Sequence, residues 1–163
     1  MNSLDHTDRA IIALLNEDGR MSSAEIARRL RDVPSRTVSY RIDSLIARGI
    51  ISVKAIVNPP ALGYNVLADV ILEVEPGHVR AVAEMVASFP EVSYVACATG
   101  ESDVSVSVRV RNNQELFDFV TDQLSGIPGV RRTQTHLLPV MLKDIDSWLP
   151  PEVIPFELEG EKL

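Results

Sequence analysis

The sequence has few of the residues that build disulfide frameworks, metal clusters and aromatic binding sites. Its 163 residues include one cysteine, three histidines and only 5% aromatic residues. Because Cys97 stands alone, an intramolecular disulfide and a cysteine-based metal cluster are excluded. The histidines, His6, His78 and His136, show no metal-ligand spacing. We therefore predict no metal site, no cofactor, no catalytic residues and no enzymatic activity, and the cysteine usage fits a reducing cytosol.

Long hydrophobic runs are also missing. The chain is 45% hydrophobic and 24% charged, and charged residues occur within its first ten positions. No apolar run approaches the length of a membrane span or of a signal-peptide core. These features predict a cytoplasmic protein without a membrane partner.

Positive charge is scarce overall but concentrated in one segment. The formal net charge is -7, yet residues 20–54 hold eight basic and three acidic side chains. Residues 1–58 carry a net charge of +2, whereas residues 59–163 carry -9. A basic island in an acidic protein indicates contacts with phosphates. Double-stranded DNA is therefore the expected partner of the N-terminal part, and the acidic remainder is excluded from that role.

Two helical patterns lie inside the basic segment, over residues 22–30 and 35–48. Only four residues separate them, a spacing typical of a helix-turn-helix. In the second pattern, Val38, Ile42 and Leu45 form an apolar stripe, and polar residues fill the opposite side. An ordinary three-helix bundle with a solvated polar face would show the same pattern, but the local charge favours DNA binding.

Candidate DNA contacts follow from this arrangement. We expect Arg36 to reach base edges, because a guanidinium in the first turn of a recognition helix can pair with guanine. For Arg41, a structural ion pair and a phosphate contact are equally compatible with the sequence. The complete predicted set is Arg20, Ser22, Ser35, Arg36, Thr37, Ser39, Tyr40, Arg41 and Lys54, with Arg20 and Lys54 placed on phosphates.

The remaining periodicity predicts an α+β chain. A first helix begins near Asp5, and alternation over residues 50–58 predicts a strand that forms a wing. From residue 65, the order βαββαβ predicts a four-stranded antiparallel sheet with both helices on one face. The open face offers Leu67 and Ile71, so we expect it to pack on a second copy of the chain.

Four segments result. We predict a winged helix-turn-helix domain over residues 1–52, a linker strand and hinge over 53–64, an effector-binding and dimerisation domain over 65–143, and a tail over 144–163. The last strand of the sheet is expected over residues 130–142. The tail has no apolar period and is predicted to be an extended arm or a disordered end.

The hairpin of the second domain carries groups that could hold an effector, a function implied by the family resemblance given below; from these residues alone a plain hairpin turn is favoured. An amino acid needs donors for its carboxylate and an acceptor for its ammonium group. A loop with a glycine, carboxylates and neighbouring hydroxyls supplies these groups, although a plain hairpin turn explains the same residues. The predicted set is Thr99, Gly100, Glu101, Ser102, Asp103, Thr133 and Thr135.

These motifs resemble the leucine-responsive regulator/AsnC family, the feast/famine transcription regulators. The N-terminal resemblance lies in Leu4-Asp5, Asp8, Ile11, Leu15, Asp18-Gly19-Arg20, Ser22, Ile26-Ala27, Leu30, Val38, Arg41-Ile42, Leu45, Gly49 and Ile51. The C-terminal resemblance lies in Asn58, Leu62-Gly63, Gly100, Asp103, Pro128-Gly129-Val130, Thr133 and Thr135.

The resemblance implies a sequence-specific regulator with a ferredoxin-like effector domain that senses an amino acid or related metabolite. It also implies a homodimer that assembles further, to a tetramer or an octamer. Two positions differ from the family pattern. The turn between the helices usually holds a glycine, where this chain has residues 31–34, and an aromatic residue is common where this chain has Ser102.

Two alternatives remain open from the sequence. Siroheme-type decarboxylases share this two-domain architecture, but they use histidine and arginine, and the three histidines here are more simply structural or solvated. A small-molecule sensor that has lost its DNA function is the other alternative, and the basic excess of residues 20–54 argues against it.

Overall fold

The computed structural model describes residues 4–151 and 153 of the chain. They divide into two units. The helical unit comprises the described residues of Met1–Ile56 and Lys143–Leu163, and the sheet unit comprises Val57–Leu142. The chain therefore passes from one unit to the other between residues 56 and 57, and returns between residues 142 and 143.

Three helices form the helical unit: α1 (His6–Glu17), α2 (Ser23–Leu30) and α3 (Ser35–Ala47). Each of the first two begins at a side-chain cap. The Asp5 carboxylate accepts the Asp8 backbone N–H at 2.8 Å, and the Ser22 hydroxyl accepts the Glu25 backbone N–H at 3.2 Å. These caps satisfy amides that a helix start leaves without partners. The sequence patterns thus place all three helices to within about one residue.

The turn between α2 and α3 contains a strained residue. Arg31 has φ 62° and ψ -48°, and the Asp32 backbone N–H donates to the Leu30 carbonyl at 2.7 Å. This is a γ-turn with positive φ, a conformation that costs energy for any residue with a Cβ. Arg31 lies in the turn where the family resemblance predicts a glycine.

We predict that Arg31→Gly stabilises the helical unit by about 0.5–1 kcal/mol. Glycine relieves the positive-φ strain, and part of the gain is lost because glycine is more flexible in the unfolded chain. Urea unfolding of the full chain measures the difference. Arg28→Gly, inside α2, is the matched control and should destabilise by about 1 kcal/mol. If Arg31→Gly and Arg28→Gly lowered the free energy of unfolding equally, Arg31 would not be strained.

The segment after α3 differs from its prediction. Residues 51–58 form no β-ladder within the described chain, so the predicted strand over residues 50–58 is wrong. Their alternation resembles a strand, but alternation alone provides no hydrogen-bonding partner. Val53, Ile56 and Val57 are all more than half exposed.

Four strands and two helices form the sheet unit, in the predicted order. They are β1 (Val66–Val74), α4 (Val79–Val86), β2 (Val92–Cys97), β3 (Val104–Val110), α5 (Asn113–Asp118) and β4 (Val130–Leu137), and a π-helical turn, Phe119–Leu124, continues α5. The sheet order is β2-β3-β1-β4, and all neighbours are antiparallel. Strand β4 ends at Leu137, earlier than the predicted residue 142.

The sheet has one covered face and one open face. Alternate residues of β1 and β3, such as Val70 and Val106, are fully buried in a core shared with α4, α5 and the π-helical turn. The open face was predicted to be apolar, but it is mixed. Leu67 and Ile71 alternate there with Asp69, whose carboxylate accepts the Ser107 hydroxyl at 2.6 Å. These polar partners lie 38 residues apart in the sequence, so the sequence did not indicate their pairing.

Part of the predicted tail is folded. Asp144 caps a short 3-10 helix, Ile145–Ser147, and both Leu149 and Val153 pack into the core of the helical unit. The prediction of an extended arm or disordered end is therefore wrong for this part. Among the described residues of this segment, only Leu149 and Val153 pack there, and two apolar residues are too few to show a helical or strand periodicity in the sequence. Residue 152 and residues 154–163 lie outside the described part of the chain.

Candidate DNA-binding surface and effector site

The outer side of α3 carries the predicted contacts. Val38 and Leu45 are fully buried against α1 and α2, and this burial fixes which side of α3 faces outward. The side chains exposed in its first two turns are Ser35, Arg36, Thr37, Ser39 and Tyr40, with Tyr40 74% exposed. Hydroxyls, a phenol and a guanidinium are groups that hydrogen-bond to phosphates and base edges.

Two groups of basic side chains can be compared in the helical unit. In the first group, Arg28 lies 3.8 Å from Glu25, and Arg29 lies 2.9 Å from Glu17. In the second group, no ion pair is formed within the described residues by Arg20, Arg31, Arg36 or Lys54. A basic side chain without a partner inside the protein can contact a phosphate without breaking an existing ion pair. Arg36 combines this property with a place in the first turn of α3.

Arg41 forms an ion pair instead of pointing freely outward. Its Nη1 lies 2.6 Å from Asp5 Oδ2 and 2.7 Å from Asp8 Oδ1. The Asp8 backbone hydrogen bond and the Arg41 guanidinium lower the pKa of the Asp5 carboxyl, and the same carboxylates raise the pKa of Arg41. Of the two roles that the sequence left open for Arg41, the structural ion pair is present. It joins α3 to the start of α1.

The other predicted DNA contacts lie outside α3. Ser22 is exposed, but its hydroxyl caps α2. Arg20 is exposed, with its backbone N–H bound to the Asp18 carboxylate at 2.8 Å, and Lys54 is exposed on the irregular segment after α3. Arg20 and Lys54 are thus available to a phosphate, whereas Ser22 already has a structural role.

In the predicted effector loop, the aspartate is partly engaged. Asp103 Oδ2 accepts the Val74 backbone N–H at 2.7 Å, and the Asp103 N–H donates to the Leu72 carbonyl at 3.1 Å. These bonds attach the loop to the end of β1. Gly100 has φ 123°, a conformation that favours glycine, and Thr99 is exposed beside it. The hairpin explanation therefore accounts for Gly100 and for one oxygen of Asp103.

The structure divides the rest of the effector set between two faces of the sheet. Thr133 pairs with Leu72 and Thr135 pairs with Val70, and directly opposite residues share a face. Both threonines therefore lie on the covered face. Glu101 and Ser102 border the open face, so the structure does not bring the threonines together with them.

A concavity of about 360 Å³ lies on the open face beside the loop. Its lining residues are Ile71, Glu73, Glu101, Ser102, Arg132 and Gln134. Arg132 Nη1 lies 3.4 Å from Glu73 Oε1, and both side chains are more than a third exposed. The sequence analysis missed Glu73, Arg132 and Gln134. Their shared face follows from the alternation in β1 and β4, but only once the strand register is known.

Metal and membrane features can be examined over the same residues. Among the described residues, no three side chains of the His, Cys, Asp and Glu types converge as ligands for an ion. None of the described helices combines the length and the apolar character needed to cross a membrane.

Comparison with known proteins identifies both units. A winged helix-turn-helix DNA-binding domain matches residues 4–52, and an Lrp/AsnC ligand-binding domain matches residues 68–145. An HTH-type transcriptional regulator of Pyrococcus abyssi is 43% identical over 141 residues, spanning 86% of this chain and 89% of the relative. The chain belongs to the Lrp/AsnC family.

Further relatives and solved structures resemble this chain. The regulator FL11 of Pyrococcus furiosus is 36% identical over 136 residues, covering 83% of this chain and 89% of FL11. E. coli AsnC superposes with a TM-score of 0.80 at 23% identity, covering 88% of this chain and 99% of AsnC. A Neisseria meningitidis regulator solved in complex with L-Met superposes with a TM-score of 0.85 at 24% identity, covering 93% of this chain and 100% of that regulator.

These findings confirm the predicted fold class, the family and the function as a DNA-binding transcription regulator. The two solved structures, both below 25% identity, support the fold alone. This Lrp/AsnC regulator thus combines a DNA-binding domain and a ligand-binding domain in one chain.

Proposed function

We propose that this Lrp/AsnC regulator reads specific sites on double-stranded DNA with α3 and changes its DNA binding when an amino acid or related metabolite binds the sheet unit. The observation that carries the first half is Arg36, exposed in the first turn of α3 and without an ion pair in the described residues. We place the protein in the cytoplasm and assign it no catalytic activity, in line with relatives named as transcriptional regulators.

The concavity on the open face suits a zwitterion. Arg132 offers a fork of donors to a carboxylate, and Glu73 and Glu101 offer acceptors to an ammonium group. The 3.4 Å contact between Arg132 and Glu73 is long and exposed, so a ligand can separate the pair at little cost. The L-Met bound by the Neisseria meningitidis regulator supports an amino acid as the class of effector.

A homodimer that assembles to a tetramer or octamer is the proposed working form. Leu67 and Ile71 on the open face favour a second copy of the sheet as the partner, and Tyr94, 56% exposed, adds area at β2. Sedimentation velocity tests this assembly. A monomer at micromolar concentration in the wild type would remove the proposal.

A salt series tests the DNA half. The protein is mixed with random genomic fragments, and the fragments retained at the highest salt are sequenced. Enrichment of a pseudo-palindrome, with affinity falling steeply as salt rises, is the expected result. The absence of binding even at low salt would leave the fold unchanged and revive the sensor without DNA function. A visible absorbance band on adding a tetrapyrrole would favour the decarboxylase alternative.

Calorimetric titration with each of the twenty amino acids tests the effector half. For an amino acid that binds, Arg132→Ala should weaken binding by about tenfold or more, because a charge-assisted hydrogen bond is lost. Arg131→Ala is the matched control: it removes the same charge from the adjacent residue, which does not line the concavity. Equal effects of the two substitutions would place the effector elsewhere.

A further inference from the structure

The chain returns to the helical unit at its C-terminal end, and the returning segment is held by its own hydrogen bonds. Asp144 Oδ1 accepts the Ser147 backbone N–H at 3.3 Å, and the Trp148 N–H donates to the Ile145 carbonyl at 3.1 Å. Further on, the Val153 N–H donates to the Pro150 carbonyl at 2.9 Å. The described residues of 144–153, here named the strap, are therefore folded.

The strap supplies part of the core of the DNA-binding unit. Val153 is only 4% exposed, and Leu149 packs partly buried beside it. The buried cluster that Val153 joins contains Ile11, Ile12, Met21, Ile26, Val38 and Leu45. Three helices with so few buried side chains make a small core, in which each additional buried residue contributes a large share of the stability. The cluster includes the inner side of α3.

Burial in the strap is selective. Ile145 is 79% exposed and Trp148 is 53% exposed, although both are larger than Val153. General hydrophobic collapse would bury the larger side chains first. The helical unit instead accepts Leu149 and Val153, which indicates a fitted position for these two residues.

The strap lies almost entirely outside the family's two domains. The DNA-binding match ends at residue 52, and the ligand-binding match ends at residue 145. Neither match accounts for Leu149 or Val153. Through the strap, the sheet unit is joined to the helical unit by a second covalent connection, in addition to the one at residues 56 and 57.

We propose that the strap is an integral part of the DNA-binding unit, which holds α3 against α1 and α2 and makes DNA affinity depend on its docking. The expected change in DNA affinity rests on the proposed DNA-binding function. Docking of the strap does not, because it can be measured without DNA.

The test compares Val153→Asp with Ile145→Asp in the full chain. Each variant adds one negative charge to the strap, so the electrostatic effect on DNA is matched. A buried carboxylate without a partner is unfavourable, so Val153→Asp should release the strap. We expect amide hydrogen exchange in α1, α2 and α3 to speed up about tenfold or more, with β1 and β3 unchanged. Ile145→Asp should match the wild type in hydrogen exchange, and DNA affinity should fall further in Val153→Asp than in Ile145→Asp.

Val153→Ala is the milder variant in case Val153→Asp does not fold. It removes two methyl groups from the cluster and should speed the same amides about tenfold. Equal exchange in the Val153 and Ile145 variants would overturn the proposal. If exchange responds as expected but the wild type fails to bind DNA, the strap is docked and the DNA-binding function is the part that fails.

Discussion

Replacing Arg36 by alanine is expected to lower affinity for a specific DNA site by about 5- to 150-fold, a loss of about 1–3 kcal/mol. Arg36 is exposed in the first turn of α3, where a guanidinium can bond to the two acceptors of guanine in the major groove. On random DNA, the loss should be much smaller, because only a phosphate contact is available there. Fluorescence anisotropy with both kinds of DNA, at one fixed salt concentration, measures the two values.

Arg28→Ala is the matched control for Arg36. Arg28 is also an exposed arginine of the helical unit, with its side chain 78% exposed, and it lies outside α3. Its removal should weaken specific and random DNA binding to a similar, smaller extent, because it deletes charge without deleting a base contact. If Arg36→Ala lost affinity equally on both kinds of DNA, Arg36 would be a phosphate contact and not a base contact.

Replacing Arg41 by alanine is expected to lower the free energy of unfolding by about 2–3 kcal/mol. Arg41 contacts both Asp5 and Asp8, and the Asp8 side chain is only 11% exposed. Without the guanidinium, two neighbouring carboxylates face each other at the start of α1. The substitution also removes the ion pair that joins α3 to the start of α1, so DNA affinity should fall although Arg41 contacts no base in this interpretation. Urea unfolding and anisotropy are the two measurements.

Acid should reveal the same ion pair. The pKa of Asp5 is lowered in the folded protein, so its contribution to stability is present above the unfolded pKa of about 4. That contribution is lost as the pH falls through the lower folded value. Arg41→Ala should therefore show a shallower loss of stability below pH 4 than the wild type.

Arg29→Ala is the control for Arg41. Its partner Glu17 and Arg29 itself are both about half exposed, so the loss should stay below about 1 kcal/mol. If Arg41→Ala unfolded at the same urea concentration as the wild type, the ion pair would contribute no net free energy to folding. Arg41 would then be available to DNA.

Periodicity predicted the elements well, because each of them buries one side. Helices α1 to α3 and the strands of the sheet carry apolar residues at periods of about 3.6 and 2. The strand predicted over residues 50–58 shows the limit of this reasoning. Alternation is a property of one segment, whereas a strand requires a partner, and the described chain provides none there.

Side-chain partners far apart in the sequence were the features that could not be predicted. Arg41 and Asp5 are separated by 36 positions, and the sequence left a structural ion pair as one of two roles for Arg41 without indicating its partner. The predicted effector residues are divided between two faces for a related reason. The sequence placed Thr133 beside Glu101, but the register with Leu72 turns Thr133 to the covered face. Register is set by the whole sheet and not by the motif.

The burial of Val153 bears on how the protein is made. A ribosome that has synthesised the chain up to residue 142 has produced all three helices and the whole sheet, but the core of the helical unit still lacks Val153. A nascent chain therefore cannot reach the final packing around α3 before the sheet unit has left the exit tunnel. Premature termination within the sheet unit would thus yield an incompletely packed DNA-binding unit, rather than an intact one without control by an effector.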